Sequence, residues 1–336
     1  MGGIRGRTLA VCLALVALPG PTRAQQAAEP IHPTRHTMPW PGLGGGQTDG
    51  QVQASLALGP ELERGRSARA MLAERRKLDA ALAALQPQRP GTIDAYVVAV
   101  ALDSDPVFSR EAREAGSVLA RRYDASGRTI TLAGPDGRTA GLPKGSLTSL
   151  TLVLARIAEL IDPGEDVLVL YSTSHGSPSG LAYHDGDNGF GVLSPSRLGS
   201  VLGELGIRRR ILLLSACHAG VFVPFLRSPD TAIVTAASAD RTSFGCRAQN
   251  DWTFFGDALI NHALRKPQPL MVAAEEARRL IAGWESDNGL QPSQPQAVVG
   301  DDAVQWLTAL EGRMPRHATE SVGIPAVSAF QTTARR

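Results

Sequence analysis

Two unbroken apolar runs, Val167–Leu170 and Ile211–Leu214, do most to limit what this chain can fold into. Four consecutive aliphatic positions leave no polar face to turn toward water. Each run therefore reads as a strand covered on both sides, as in a parallel sheet sandwiched between helices. The first run continues into Tyr171-Ser172-Thr173-Ser174-His175-Gly176 and the second into Ser215-Ala216-Cys217-His218-Ala219-Gly220. In open α/β sheets, sites form where strands leave the packed layer at their carboxyl ends. The pattern thus predicts an imidazole and a thiol at two strand ends facing one crevice.

The surrounding sequence supplies the rest of such a sheet. Strands are predicted over Ile93–Leu102, Arg128–Leu132, Asp166–Thr173, Ile211–Ala216 and Thr231–Ala237. Helices are predicted at about Val107–Tyr123, Ser146–Ile161, Ser194–Leu205, Trp252–Arg265 and Met271–Trp284. Strand and helix alternate, which argues for crossover connections and parallel pairing. Gly180–His184 and Gly189–Leu193 flank Asp185-Gly186-Asp187-Asn188 as a hairpin. Ser194 before Pro195 reads as a helix N-cap followed by proline at the first helical position.

Outside this block the texture changes. Residues 1–24 carry Arg5 and Arg7, an apolar stretch and Thr22-Arg23-Ala24, the grammar of a cleaved secretory signal. Residues 25–60, with Gly44-Gly45-Gly46, read as a flexible leader. Residues 61–91 read as a charged helical arm with Met71, Leu78, Leu82 and Leu85 on one face, either for packing or for regulation. The main domain is placed at 92–312, and 313–336 is expected to be a disordered tail.

Composition narrows the function. With 34 basic and 32 acidic residues and only 5% aromatic residues, the chain has neither the charge nor the stacking groups for nucleic acid. Arg208-Arg209-Arg210 reads as a solvated lead into a strand. No run after the signal is long enough to span a bilayer, so an exported protein, periplasmic or secreted, is expected. Of three cysteines, Cys12 lies in the signal, leaving Cys217 and Cys246. These two could form a disulfide in an oxidising compartment, but the residues around Cys217 are better explained by a free thiol.

A thiol beside an imidazole is the pairing used for nucleophilic attack on carbonyl carbon. His175 would take the thiol proton and later protonate the leaving amine. The backbone N–H groups of Gly176 and Cys217 could receive the oxyanion. Asp103, ending the first strand, is a candidate to orient His175. His218 should point away, and His184 reads as a hairpin surface residue. Asp185, Asp187 and Asn188 resemble a calcium loop only superficially, because Ser196 stands where the bidentate Glu belongs. His175, His184, Cys217 and His218 make no tidy zinc set. The serine-hydrolase elbow and the phosphate-binding P-loop are both missing from the sequence. No metal or organic cofactor is expected.

The strand, His-Gly, strand, Ala-Cys pattern resembles the legumain-like (C13) cysteine peptidases of the caspase-like group. Thr235-Ala236-Ala237, Ser243-Phe244-Gly245, Phe255-Gly256-Asp257 and Pro295-Gln296 extend the likeness over about 92–310. The resemblance implies an α/β fold, a caspase-like three-layer α/β/α sandwich with a mainly parallel central sheet. It implies that His175 and Cys217 form the catalytic dyad and that a peptide or protein is the substrate. It also implies a substrate pocket lined by Ser215, Ser243, Asp257 and Arg110. Legumains carry an acid where this chain has Ser215 and an Asp where it has Ser174, so asparagine specificity and legumain-like ligase behaviour do not follow from the resemblance alone. A transamidase or peptide ligase using the same pair, or a catalytically inactive caspase-like peptide-binding scaffold, is the alternative reading.

Overall fold

The computed structural model describes residues 47–57, 61–134 and 141–328. The signal at 1–24 and most of the leader lie outside the described residues, as do 329–336. Within the leader, α1 (Asp49–Ala57) is a short helix. The arm begins with β1 (Glu61–Glu63) and continues as α2 (Ala68–Ala84). Ser67 caps α2 by accepting the Ala70 N–H at 3.2 Å. Of the four apolar arm residues, Leu78 and Leu85 are buried while Met71 is exposed.

The main domain runs β2 (Ala95–Ala101), α3 (Pro106–Arg122), β3 (Thr129–Leu132), α4 (Leu147–Leu160), β4 (Val167–Thr173), β5 (Gly176–Ser177), β6 (Gly180–Asp185), β7 (Gly189–Leu193), α5 (Pro195–Glu204) and β8 (Arg210–Ser215). It continues through α6 (Val223–Leu226), β9 (Thr231–Thr235), a π-type helix at Gly256–Ala263, α7 (Leu270–Asp287), β10 (Gln296–Val299) and α8 (Asp301–Glu311). Among the described residues the large sheet has six strands in the order β10-β9-β8-β4-β2-β3. All its pairs are parallel except β9 with β10.

Every residue of β2 and β4 is buried. Because successive side chains alternate across a strand, such a strand feeds two cores at once. On one face Val97, Val169, Tyr171, Leu213 and Val234 pack with α3, the 256–263 helix, α7 and α8. On the other face Tyr96, Val98, Leu170, Leu212 and Leu214 pack with α2, α4 and α5. This is the three-layer sandwich expected from the apolar runs. Each fully buried aliphatic side chain contributes about 1.5–3 kcal/mol. Ser146 and Ser194 cap α4 and α5, accepting the N–H groups of Ser149 at 3.0 Å and Arg197 at 3.1 Å.

A second, antiparallel sheet has the order β1-β7-β6-β5. The hairpin expected around Asp185–Asn188 is its centre, and the arm supplies its outer strand. Arg66 donates to Tyr183 Oη at 2.9 Å and to Asp185 at 2.5 Å, and Lys144 reaches the same Asp185 oxygen at 2.9 Å.

Three expectations need correcting. The strand predicted to reach Ala237 ends at Thr235, because the Thr235 hydroxyl bonds forward to the carbonyl of Ala237 at 3.0 Å and bends the chain out of the sheet. The stretch beyond the helix predicted at Met271–Trp284, where no further element is predicted, contains an edge strand, β10, which alternates too weakly to announce itself. Residues 313–328, expected to be disordered, lie on the domain. Trp252 Nε1 donates to Val322 O at 2.8 Å, and the buried Ala326 donates its N–H to Asp257 Oδ2 at 2.7 Å. Few apolar side chains are needed there, since backbone groups of the tail satisfy buried polar atoms of the core.

Candidate active site

Register brings the two candidate residues together. In the parallel pair β4 and β8, Thr173 stands opposite Ser215, and the Ser174 N–H continues the ladder to Ser215 O at 3.1 Å. His175 and Cys217 each lie two residues beyond that last matched pair. The strand ends approach so closely that a Cβ on Gly176 would sit 2.0 Å from Cys217 O and 3.0 Å from Ala216 Cβ. Only glycine fits there, and the reason is proximity rather than an unusual φ.

The backbone turns back directly after His175. Ala182 N–H donates to His175 O at 2.9 Å, Gly176 pairs with Leu181, and Ser174 Oγ donates to Ala182 O at 2.5 Å. The His175 ring stands edge-on to Phe108, with centroids 5.0 Å apart. Its side chain is 42% exposed, open enough to meet a substrate. Asp105 Oδ2 lies 3.6 Å from His175 Nε2. Asp103, the carboxylate expected to orient His175, faces His184 Nδ1 instead, at 3.8 Å. Its other oxygen accepts the Asp105 N–H at 2.8 Å, so it shapes the turn that presents Asp105. His184, expected on the hairpin surface, is thereby drawn to the end of β2. Ligand atoms of Asp103, Asp105 and His175 all lie within 4.8 Å of one another, making this the described cluster whose donors could hold a cation.

Cys217 sits in a different setting. Its Sγ accepts the Ser243 N–H at 3.2 Å and lies 3.6 Å from Ser243 O. Burial pushes the thiol above its ordinary range, although the backbone hydrogen bonds from Ser243 act in the opposite sense. The resting thiol is therefore neutral at neutral pH and needs a base to become a nucleophile. Cys217 and Cys246 are both free. Burial, followed by the proximity of Cys217, pushes the Cys246 thiol well up. His218 takes a left-handed backbone, φ 57°, and points away, its Nδ1 2.9 Å from Ala239 O.

The four expected pocket residues have varied placements. Ser243 meets the sulfur through its backbone. Ser215 is buried, donating to Glu111 Oε1 at 2.9 Å and lying 3.0 Å from Thr253 Oγ1. Asp257 is fully buried, holding Asn261 Nδ2 at 2.9 Å and the Ala326 N–H, with His262 Nε2 at 3.3 Å. Arg110 grips the 246–251 loop, donating to Ala248 O at 2.7 Å and to Asn250 O, with Asp251 at 3.1 Å. Ser215 and Asp257 thus face the protein interior, Ser215 toward Glu111 and Asp257 toward the tail.

Glu111 escaped the sequence reading. It is fully buried, and its Oε1 accepts from Tyr171 Oη at 2.5 Å, Thr173 Oγ1 at 2.7 Å and Ser215 Oγ, while Oε2 accepts the Thr253 N–H at 2.7 Å. Burial and then this carboxylate push the Tyr171 phenol well above its usual range. Thr173 and Ser215 each stand two residues before His175 and Cys217, so Glu111 ties both strand ends to one point. A signal existed: Glu111 shares the apolar stripe of α3 with Val107, Phe108, Ala112 and Ala115. A charge on such a stripe asks for partners.

Residues 155–305 match the family model described as the Peptidase C13 family. No curated protein matches the chain. The matched segment contains His175, Cys217 and Ser243. It leaves out β2 and α3, and with them Asp103, Asp105, Arg110 and Glu111.

Proposed function

We propose, from the legumain-like C13 domain that this chain carries, that it is an exported cysteine endopeptidase. The single observation carrying this reading is the β4–β8 register, which sets His175 and Cys217 side by side at adjacent strand ends. His175 takes the Cys217 proton as Sγ attacks the scissile carbonyl carbon, forming the S–C bond. The N–H groups of Gly176 and Cys217 face the resulting oxyanion. The C–N bond then breaks, the imidazolium gives its proton to the leaving amine, and a thioester remains. Water, deprotonated by His175, hydrolyses the thioester to a carboxylic acid and restores the thiol.

The neutral resting thiol fits this order of events, in which deprotonation accompanies attack. With Ser215 turned to Glu111 and Asp257 to the tail, the residue before the scissile bond is selected by other groups, and asparagine preference is not part of the reading. The 1–24 signal would deliver the protein outside the cytoplasm. Among the described residues no helix is long and apolar enough to cross a membrane.

The test uses the mature chain without residues 1–24, reduced, against a peptide library varied before the scissile bond, beside Cys217→Ala and His175→Ala. Turnover in the parent that vanishes in both variants supports the dyad. Equal amounts of amine-capped and hydrolysed product in the presence of an added amine would favour the transamidase. No turnover, with Cys217 inert to alkylation, would favour a binding scaffold.

A further inference from the structure

We propose that Cys246 is a resolving thiol for Cys217, so that a low-molecular-weight disulfide switches the site off through a reversible bridge between the two. The loss of activity rests on the peptidase reading, whereas the bridge itself does not. The starting point is the placement of a thiol that the proposed catalysis does not use. Beyond residue 24 the chain has two cysteines, Cys217 and Cys246, both free and both keeping part of their surface open to solvent.

Both thiols meet one loop. Ser243 donates its N–H to Cys217 Sγ at 3.2 Å, and Cys246 follows three residues later on the same stretch, which forms no regular element. With about 3.8 Å between successive Cα atoms, the Cα of Cys246 lies within about 11 Å of that of Ser243. Its side chain packs against Ala101, Val107, Phe108, Ala112 and Ala133. Phe108 also meets the His175 ring edge-on, with centroids 5.0 Å apart, so the second thiol and the imidazole share a neighbour. The loop is held on either side of Cys246: Phe254 N–H donates to Phe244 O at 2.9 Å, Asn250 Nδ2 to Gly245 O at 2.8 Å, and Arg110 to Ala248 O at 2.7 Å. Gly245, with φ 93°, stands directly before Cys246 in a backbone that suits glycine. A disulfide brings Cα atoms to about 4.4–6.8 Å, so the loop closes the bridge by swinging inward about Gly245.

The two thiols suit different steps. Cys217 opens the exchange because an imidazole stands beside it. His175 takes its proton, and the thiolate attacks one sulfur of the small disulfide RSSR. A Cys217–S–S–R bond forms, the reagent's own S–S bond breaks, and the departing thiolate takes the proton from the imidazolium. Cys246, packed among apolar side chains and pushed up by burial and by the nearness of Cys217, is the slower nucleophile and acts second. It gives its proton to His175 and attacks the Cys217 sulfur, and the second R–S group leaves with that proton. Two protein thiols are oxidised to one disulfide, and RSSR is reduced to two thiols. A chain read as exported meets such oxidants in its compartment.

The test takes the chain without residues 1–24, reduces it, incubates it with oxidised glutathione and quenches with N-ethylmaleimide, beside Cys246→Ser and Cys246→Ala. The parent should lose both alkylatable thiols, weigh less by two hydrogens with no glutathione attached, and yield a proteolytic fragment joining the Cys217 and Cys246 peptides. Its turnover should fall by at least about tenfold and return with dithiothreitol. Both variants should keep parent turnover when reduced, and should retain glutathione on Cys217 as the mixed disulfide. A Cys217–Cys246 bridge in a parent that shows no turnover when reduced upholds the resolving thiol and overturns the peptidase reading. The proposal is overturned by a lasting glutathione adduct on Cys217 of the parent at the level of the variants, by two thiols that both stay open to N-ethylmaleimide, or by a bridge found only between two chains.

Discussion

His175 and Cys217 end neighbouring strands of one sheet, yet the two regions that hold them are built on different physics. The His175 side is held by charge and by a hairpin: Asp105 faces the ring, Asp103 shapes the turn, and β6 folds back to pin the backbone. The Cys217 side is held by burial and by backbone: Ser243 brackets the sulfur and the thiol is pushed up. One region sets a carboxylate beside the imidazole, and the other buries the thiol and so keeps it neutral. The contrast teaches that burial keeps the thiol protonated at rest, so the proposed attack depends on the imidazole beside it to take that proton.

The largest effect should come from the point where the two regions touch. Gly176→Ala would place a methyl group 2.0 Å from Cys217 O, so the strand ends must part. We expect a loss of activity of at least about a hundredfold and a stability loss of about 1–3 kcal/mol, checked by turnover and by denaturant unfolding. Wild-type turnover would break the comparison at its root, since the two regions would then not depend on their close approach.

Next comes the anchor that both regions share. Glu111→Gln keeps the volume but turns one acceptor into a donor among Tyr171, Thr173, Ser215 and Thr253. A cost of about 1–3 kcal/mol is expected, read from chemical denaturation. Activity should fall with stability, because Thr173 and Ser215 lead directly into the reactive residues.

Arg110→Ala sharpens the comparison on one side alone. It releases Ala248, Asn250 and Asp251, and so loosens the loop whose Ser243 brackets the sulfur. Cys217 should be alkylated a few fold faster while the edge-on packing of His175 against Phe108 stays as it was, because local openings of a loop cost less free energy than opening the sheet. Equal alkylation rates would show that the loop does not guard the thiol.

The smallest effect is in pH. A folded thiol value raised above 9.0, the ordinary value, means that the unfolded chain loses its Cys217 proton first. Stability linked to Cys217 is therefore fully present below about pH 9 and declines as pH rises from there through the folded value. The difference in thermal midpoint between the parent and Cys217→Ala should narrow or reverse over that window. A constant difference would place the thiol in a more open setting than the one described.

The sequence reveals these two regions unequally. The apolar runs disclose β4 and β8, and hence the residues at their ends, because a doubly buried strand has no alternative pattern. The supporting contacts are less visible. Choosing Asp103 over Asp105 as the partner of His175 turns on how a two-residue turn rotates, which local sequence does not encode. Glu111 is hidden because a Glu in a charged helix looks solvated until the helix is docked. The 313–328 segment passes for a tail because it binds through its backbone, leaving no side-chain signature, and β10 passes for loop because β9 alone gives it a place.

The parallel pairing of β4 with β8 has a further consequence in time. Parallel neighbours cannot be made by a local turn, and here the connection includes a hairpin sheet and a helix before the chain returns. Contacts of that range form late, after the loop-closure entropy has been met. His175 and Cys217 are thus strangers early in folding, and on the proposed reading reactivity arrives only with the finished sheet. If the proposed function holds, a chain with this architecture carries its own safeguard against attacking itself or its neighbours while it is still finding its shape.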